Sequence, residues 1–345
     1  MDKTTRLTVL TGITIGISAL LLVAFGNPTN MGFCIACFLR DISGSLYLHR
    51  ASSLQYARPE IFGLVLGSFI ISSFKKEFKA TSGSSGVIRF FLGFLMMSGA
   101  LVFLGCPLRM VLRLGGGDGK AIFALVGFTL GIAFGCYFLN QGFTLGRSYT
   151  QKKENGTIFP IICILLAFLC FFGLIGIAEE EAHAPFFLSL LLAVGCGMIA
   201  QRSRFCMVGG IRDYILFRDN HLFLGSFSLF VVVLIGNIIL GNFHFSISLS
   251  NSIWFILSMA LVGLSGALLG GCPLRQLILA GEGNGDSAIT VLGMIVGAAI
   301  SHNFGMASSP TTVTASGKIE VIVGLIFCTL LAIIVIYKQK KELKV

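Results

Sequence analysis

Gly105-Cys106-Pro107-Leu108-Arg109 and Gly271-Cys272-Pro273-Leu274-Arg275 are the same five residues, written twice and 166 positions apart. A second pair accompanies them. Phe33-Cys34, then Arg40-Asp41, returns as Phe205-Cys206, then Arg212-Asp213, with an offset of 172 for all four residues. Gly127 and Gly131 return as Gly293 and Gly297 at the offset of 166. A Gly-rich stretch and Asp118 follow the first Gly-Cys-Pro; Asp286 follows the second. Identity at a fixed offset marks a duplicated chain. We expect a first half over residues 1–156 and a second over 157–345, with the connector 42–58 unmatched in the second half.

The composition says where such a chain lives. Of 345 residues, 55% are hydrophobic and 12% are charged, and the mean hydropathy is +0.91. A soluble domain carries about 25% charged residues, so this chain cannot face water all round. Its 43 glycines suit close helix packing in lipid. The net charge of +10 lies in short loops between apolar runs, which reads as a topology signal and not as a nucleic-acid footprint. The N-terminal stretch shows no small-residue cleavage site and reads as the first span.

A membrane span needs about 20 apolar residues. Ten segments come near that: 7–26, 59–74, 88–105, 120–140, 157–177, 185–201, 221–241, 252–271, 287–305 and 318–337. Four others, 31–39, 106–114, 203–217 and 272–281, are too short to span and too apolar for ordinary loops. Irregular backbone at membrane depth survives only inside protein or beside a water-filled cavity, so these four read as re-entrant. Alternate threading collects Lys3, Arg6, Lys75, Lys76, Lys79, Arg89, Arg147, Lys152, Lys153, Lys338, Lys340, Lys341 and Lys344 on one side. The connector with Glu179, Glu180 and Glu181 falls on the other. By the positive-inside rule both termini are cytoplasmic. Arg40, Arg50 and Arg58 are exceptions, and the sequence accounts only for Arg40, as part of a motif. Five spans per half is an odd number, so the halves are inverted, as in many secondary transporters. The expected fold is an all-α integral membrane protein: two inverted five-helix repeats, with four Cys-bearing segments meeting near the midplane.

The motifs carry their own chemistry. Pro is favoured at the first position of a helix. Cys106-Pro107 therefore starts a short helix that Gly115-Gly116-Gly117 stops, and Cys272-Pro273 starts one that Gly281 stops. A helix N-terminus offers free N–H groups and partial positive charge to an anion. Arg109 and Arg275 stand three residues further on, facing the pathway or neutralising Asp118 and Asp286. The result is a soft sulfur beside an anion cradle, suited to a solute with a polarisable sulfur or selenium atom and an anionic head. Cys34, Cys106, Cys206 and Cys272, with Arg109 and Arg275, are the candidate pathway residues. Asp118 and Asp286 read as helix caps before they read as coupling carboxylates. Arg40-Asp41 and Arg212-Asp213 read as ion pairs at the membrane edge. Cys37 completes a C-x-x-C with Cys34, but Gly209 stands at its repeat position, so it is an accessory. Cys136, Cys163, Cys170, Cys196 and Cys328 read as small apolar residues.

The doubled Gly-Cys-Pro-Leu-Arg, with Phe33-Cys34 and Phe205-Cys206, resembles the YeeE/YedE sulfur-transport family of bacterial inner-membrane proteins over nearly the whole chain. The resemblance implies thiosulfate uptake, with Cys34, Cys106 and Cys272 relaying the ion through S–H···S hydrogen bonds without covalent capture, and Cys206 as the fourth paired position. Length and the doubled motif followed by Gly-Asp resemble the YedE branch more closely, which implies a selenium compound as solute. The family implies no cofactor and no catalytic or metal site. It leaves room for a cytoplasmic sulfur or selenium carrier protein as partner, besides membrane lipid. Two other classes compete. A membrane thiol–disulfide oxidoreductase would use Cys34 and Cys37, but would not need cysteines in both halves. A thiolate metal-ion channel is disfavoured by the Arg beside each Cys.

Overall fold

The computed structural model describes residues 2–175, 183–309 and 312–342. Glu179, Glu180, Glu181 and Lys344 lie outside them. Among the described residues the chain forms α1 (Lys3–Ala24), α2 (Ile35–Ser45), α3 (Pro59–Phe74), α4 (Gly86–Phe103), α5 (Pro107–Gly115), α6 (Lys120–Asn140) and α7 (Lys153–Phe171). The series continues with α8 (Phe186–Ser203), α9 (Met207–Phe217), α10 (His221–Ile239), α11 (Ser252–Leu269), α12 (Pro273–Gly281), α13 (Gly285–Asn303) and α14 (Ala315–Glu342). Ten segments are long and apolar enough to cross a membrane. Three of them, Gly86–Gly115, Phe186–Phe217 and Ser252–Gly281, run through a long helix and the short helix after it, α5, α9 or α12. The four short helices α2, α5, α9 and α12 fall at the four apolar stretches singled out by length. Large side chains such as Leu130, Ile161, Phe168 and Ile334 are exposed, as lipid-facing helices require. The protein is a nearly all-helical, multi-pass membrane protein.

Small residues set the packing. Gly127 and Gly131 bring α6 against α11: a Cβ at either would collide with the carbonyl oxygens of Ile256 and Ala260. Gly293 and Gly297 do the same for α13 against the carbonyls of Phe90 and Phe94 on α4. Without a hydrophobic drive between helices in lipid, such backbone approach is a main source of association. α1 likewise packs on α10, and α3 on α8. Exchanging the first seven helices for the last seven maps α6–α11 onto α13–α4, and α1–α10 onto α8–α3. The backbone shows the same exchange. Lys79 and Thr81 N–H donate to the carbonyls of Glu282 and Gly283, while His244 and Ser246 N–H donate to those of Gly116 and Gly117. α7 and α14 follow the pattern only in part: α7 on α13 matches α14 on α6, but α7 also lies on α3 and α12, whereas α14 lies on α4 and α11.

The loops sort onto two faces. β1 (Thr81–Ser82) pairs antiparallel with β2 (Tyr149–Thr150), joining the basic loops after α3 and α6. Gln339 of α14 reaches the carbonyl of Thr144 on the same face. Glu77 there accepts hydrogen bonds from Arg202 and Gln201, and the Arg202 guanidinium holds its carboxyl below the usual range. The opposite face gathers the connector 46–58 with the ends of α1 and α13. Asn303 donates to the Leu48 carbonyl, His49 stacks on His302, and Tyr56 stacks on His183.

Candidate functional site

Each motif cysteine is the N-cap residue of one short helix: Cys34 of α2, Cys106 of α5, Cys206 of α9 and Cys272 of α12. The long helix before each of the last three is broken by a left-handed residue, Leu104, Arg204 or Gly270. A positive φ suits Gly270; at Leu104 and Arg204 it is strained. The break turns the chain so that the next residues start a new helix on the cysteine. Pro107 and Pro273 then occupy the first turn, where their missing N–H groups are not needed.

All four thiols are free and buried, and they form two clusters. In the first half the Cys106 thiol faces that of Cys34. Cys34 Sγ also accepts the N–H of Cys37 at 3.4 Å. In the second half Cys206 Sγ accepts the N–H of Gly209 at 3.2 Å and that of Cys272 at 3.4 Å. Among the described residues no hydrogen bond joins the two clusters. Hydrogen bonds thus group the four cysteines as two pairs, one per half. The helices connect them, since α2 touches α12 and α5 touches α9.

The two repeat-related arginines differ. Arg109 donates to the carbonyls of Leu104 at 2.8 Å and Asn30 at 3.2 Å, and to Cys37 Sγ at 3.0 Å. Among the described residues it has no carboxylate partner. Arg275 pairs with Glu282 at 3.1 Å. Neither neutralises the aspartates for which the sequence offered it. Asp118 pairs with Arg113 at 2.8 Å and accepts the N–H of Lys120 at 3.0 Å, at the head of α6. Asp286 is buried on the basic face, where it accepts from Ser82, Gly83, Ser84 and Ser148 of the first half. The cap of α13 is Asn284, whose side chain accepts the N–H of Ser287.

Arg40-Asp41 and Arg212-Asp213 are ion pairs, at 2.6 Å and 2.8 Å. Their surroundings separate them. Asp41 takes a second partner, Arg58, at 2.7 Å, and the Asp41 and Arg58 side chains are 0% exposed. Arg58 also lies over the rings of Phe38 and Tyr56. Arg212 and Asp213 are 24% and 16% exposed. Arg58 and its neighbour Glu60, buried and bonded to Asn27 at 2.9 Å, were missed from sequence. The one available signal was a basic residue on the wrong side.

Residues 202–345 match the family model described as Sulphur transport. Over this stretch, less than half of the chain, the protein is similar to the sulphur transport family. The stretch contains α9 and α12 with Cys206 and Cys272, and hence one complete cysteine pair. The matched stretch also includes Arg212, Asp213, Arg275 and Asp286. A comparison with curated proteins finds no match. The family match and the ten apolar helices together support a sulfur-related membrane transporter.

Proposed function

We propose that the chain takes up a small anion carrying sulfur or selenium, thiosulfate or a selenium compound, through the two cysteine pairs in turn. The observation that carries this is Arg109: a half-buried guanidinium with its hydrogen bond on Cys37 Sγ, beside the Cys34 and Cys106 thiols, and, among the described residues, without a carboxylate partner. A cation drawn out of water without a counter-ion is costly. An anion held between that guanidinium and the head of α5 would balance it, while the thiols contact its polarisable end.

In this reading the halves are inverted repeats, and α2, α5, α9 and α12 are re-entrant half-helices near the midplane. The helix order favours dividing them after α7 and not at 156/157. The basic face is cytoplasmic, both termini with it, and the membrane is a bacterial inner membrane. The exchangeable helix pairs support the first statement and the collected lysines the second. Arg275 and the edge pairs shape the second half of the pathway, and a cytoplasmic sulfur or selenium carrier would receive the product. The test is uptake of labelled thiosulfate and of labelled selenium compounds into proteoliposomes of the purified chain. Uptake of one of them above empty liposomes is expected; failure of all would reject the proposal.

A further inference from the structure

Exchange of the halves relates Arg40 to Arg212, but the two ends of the molecule are built differently. At the first, the connector 46–58 folds over α2, and Arg58 closes on Asp41 with both side chains fully buried. At the second, α9 runs to α10 with only three residues between them, so nothing comparable covers Arg212. There the structure holds a cavity of about 430 Å³ on the face of the basic loops. Its wall includes Arg89, Arg212, Asn140, Thr144 and Gly270.

The two arginines are fixed by neighbours that leave them at the wall. Arg212 is held by Asp213 at 2.8 Å and by the Gly270 carbonyl at 3.2 Å. Gly270 lies two residues before Cys272, and Arg212 six after Cys206, so two wall residues are close along the chain to the second cysteine pair. Arg89 donates to Ser84 Oγ at 2.7 Å, and Asp286 stands behind that serine. Arg89 forms no ion pair among the described residues. Gln339 ties the lysine-bearing end of α14 to Thr144 at the rim. A cavity lined by one sign of charge concentrates ions of the other.

We propose that this cavity is a second anion site: a vestibule that binds the transported oxyanion or thio-anion at the mouth of the Cys206–Cys272 pair. The proposal rests on the reading of the chain as an anion transporter. It adds a side-specific prediction, because only this mouth has an open arginine wall. The experiment measures KM for thiosulfate in membrane vesicles of both orientations, containing the full-length chain. Arg212→Gln is expected to raise KM about tenfold for thiosulfate offered to the basic-loop face and to leave the opposite face unchanged. Arg212→Lys should retain most of the affinity. Asn140 is exposed at the end of α6 and makes no fold-critical contact. Asn140→Glu should therefore reproduce the loss without endangering folding, and Asn140→Lys should lower KM. Unchanged KM in both Arg212→Gln and Asn140→Glu, or equal loss from both faces, overturns the vestibule while uptake by the wild type leaves the transport reading standing. No wild-type transport from either face removes both.

Discussion

Serine at position 106 would keep a donor at the head of α5 and remove the polarisable sulfur that faces Cys34. If the thiols select the solute, Cys106→Ser loses at least about tenfold in uptake, the effect of roughly 1.4 kcal/mol. Cys163→Ala and Cys328→Ala, at buried helix contacts away from both pairs, should transport as the wild type does. Full uptake by Cys106→Ser would mean that backbone N–H groups alone bind the anion. Cys37 is a different case. Its repeat partner is Gly209, which on sequence grounds makes Cys37→Ala harmless. In the structure its sulfur accepts a hydrogen bond from Arg109 at 3.0 Å, and bonds from charged donors are worth about 1.5–3 kcal/mol. Arg109 keeps two carbonyl partners in the variant, so it stays in place but less tightly aimed. We expect a KM for uptake roughly fivefold higher in Cys37→Ala, below the full worth of such a bond. An unchanged KM would return Cys37 to a packing role.

At the scale of the elements, the glycines that repeat at 127, 131, 293 and 297 hold α6 on α11 and α13 on α4. A side chain at Gly131 has only the backbone of Ala260 to displace, and backbone cannot turn aside as a flexible side chain can. Gly131→Ala should destabilise by about 1–3 kcal/mol, the usual cost of overpacking, and Gly131→Leu should not fold. Gly195→Ala is the control, because nothing lies within 4 Å of a Cβ there. Thermal unfolding in detergent separates the two: a Gly131→Ala midpoint equal to that of Gly195→Ala would show that the pair of helices is not held by close approach. The short helices depend on the breaks before them. Leu104 and Gly270 end α4 and α11 in the same left-handed conformation. The halves thus solve one geometric problem with a strained residue and an unstrained one.

For the molecule as a whole, the basic loops after α3 and α6 and the tail of α14 meet on one face. Reporter fusions at Lys152 and after the final helix should both register in the cytoplasm. A split result would require an odd number of spans between them and would dismantle the inverted repeat. The two faces are also unequally closed. One is sealed by Arg58, Asp41 and the stacked histidines His49 and His302; the other opens through the Arg212 wall.

Ten spans, four short helices and the residues that start them were legible in the sequence. Hydropathy, Pro after Cys, and Gly after a short apolar run are local signals, and each acts over a few residues. The expected segments 59–74 and 120–140 coincide with α3 and α6 for that reason. The repeat also located the paired cysteines and glycines, because identity at a fixed offset needs no coordinates. Which groups meet across the chain was decided only by the tertiary structure. Arg113, not Arg109, neutralises Asp118; Arg58 closes on Asp41; Cys37 receives Arg109; and the thiols gather by halves. Each of these depends on the direction in which a side chain leaves its helix and on what the packed neighbour offers there. Two arginines, each three residues after its motif cysteine, are equivalent on paper. They become different once Glu282 lies beside one of them and a cysteine sulfur beside the other.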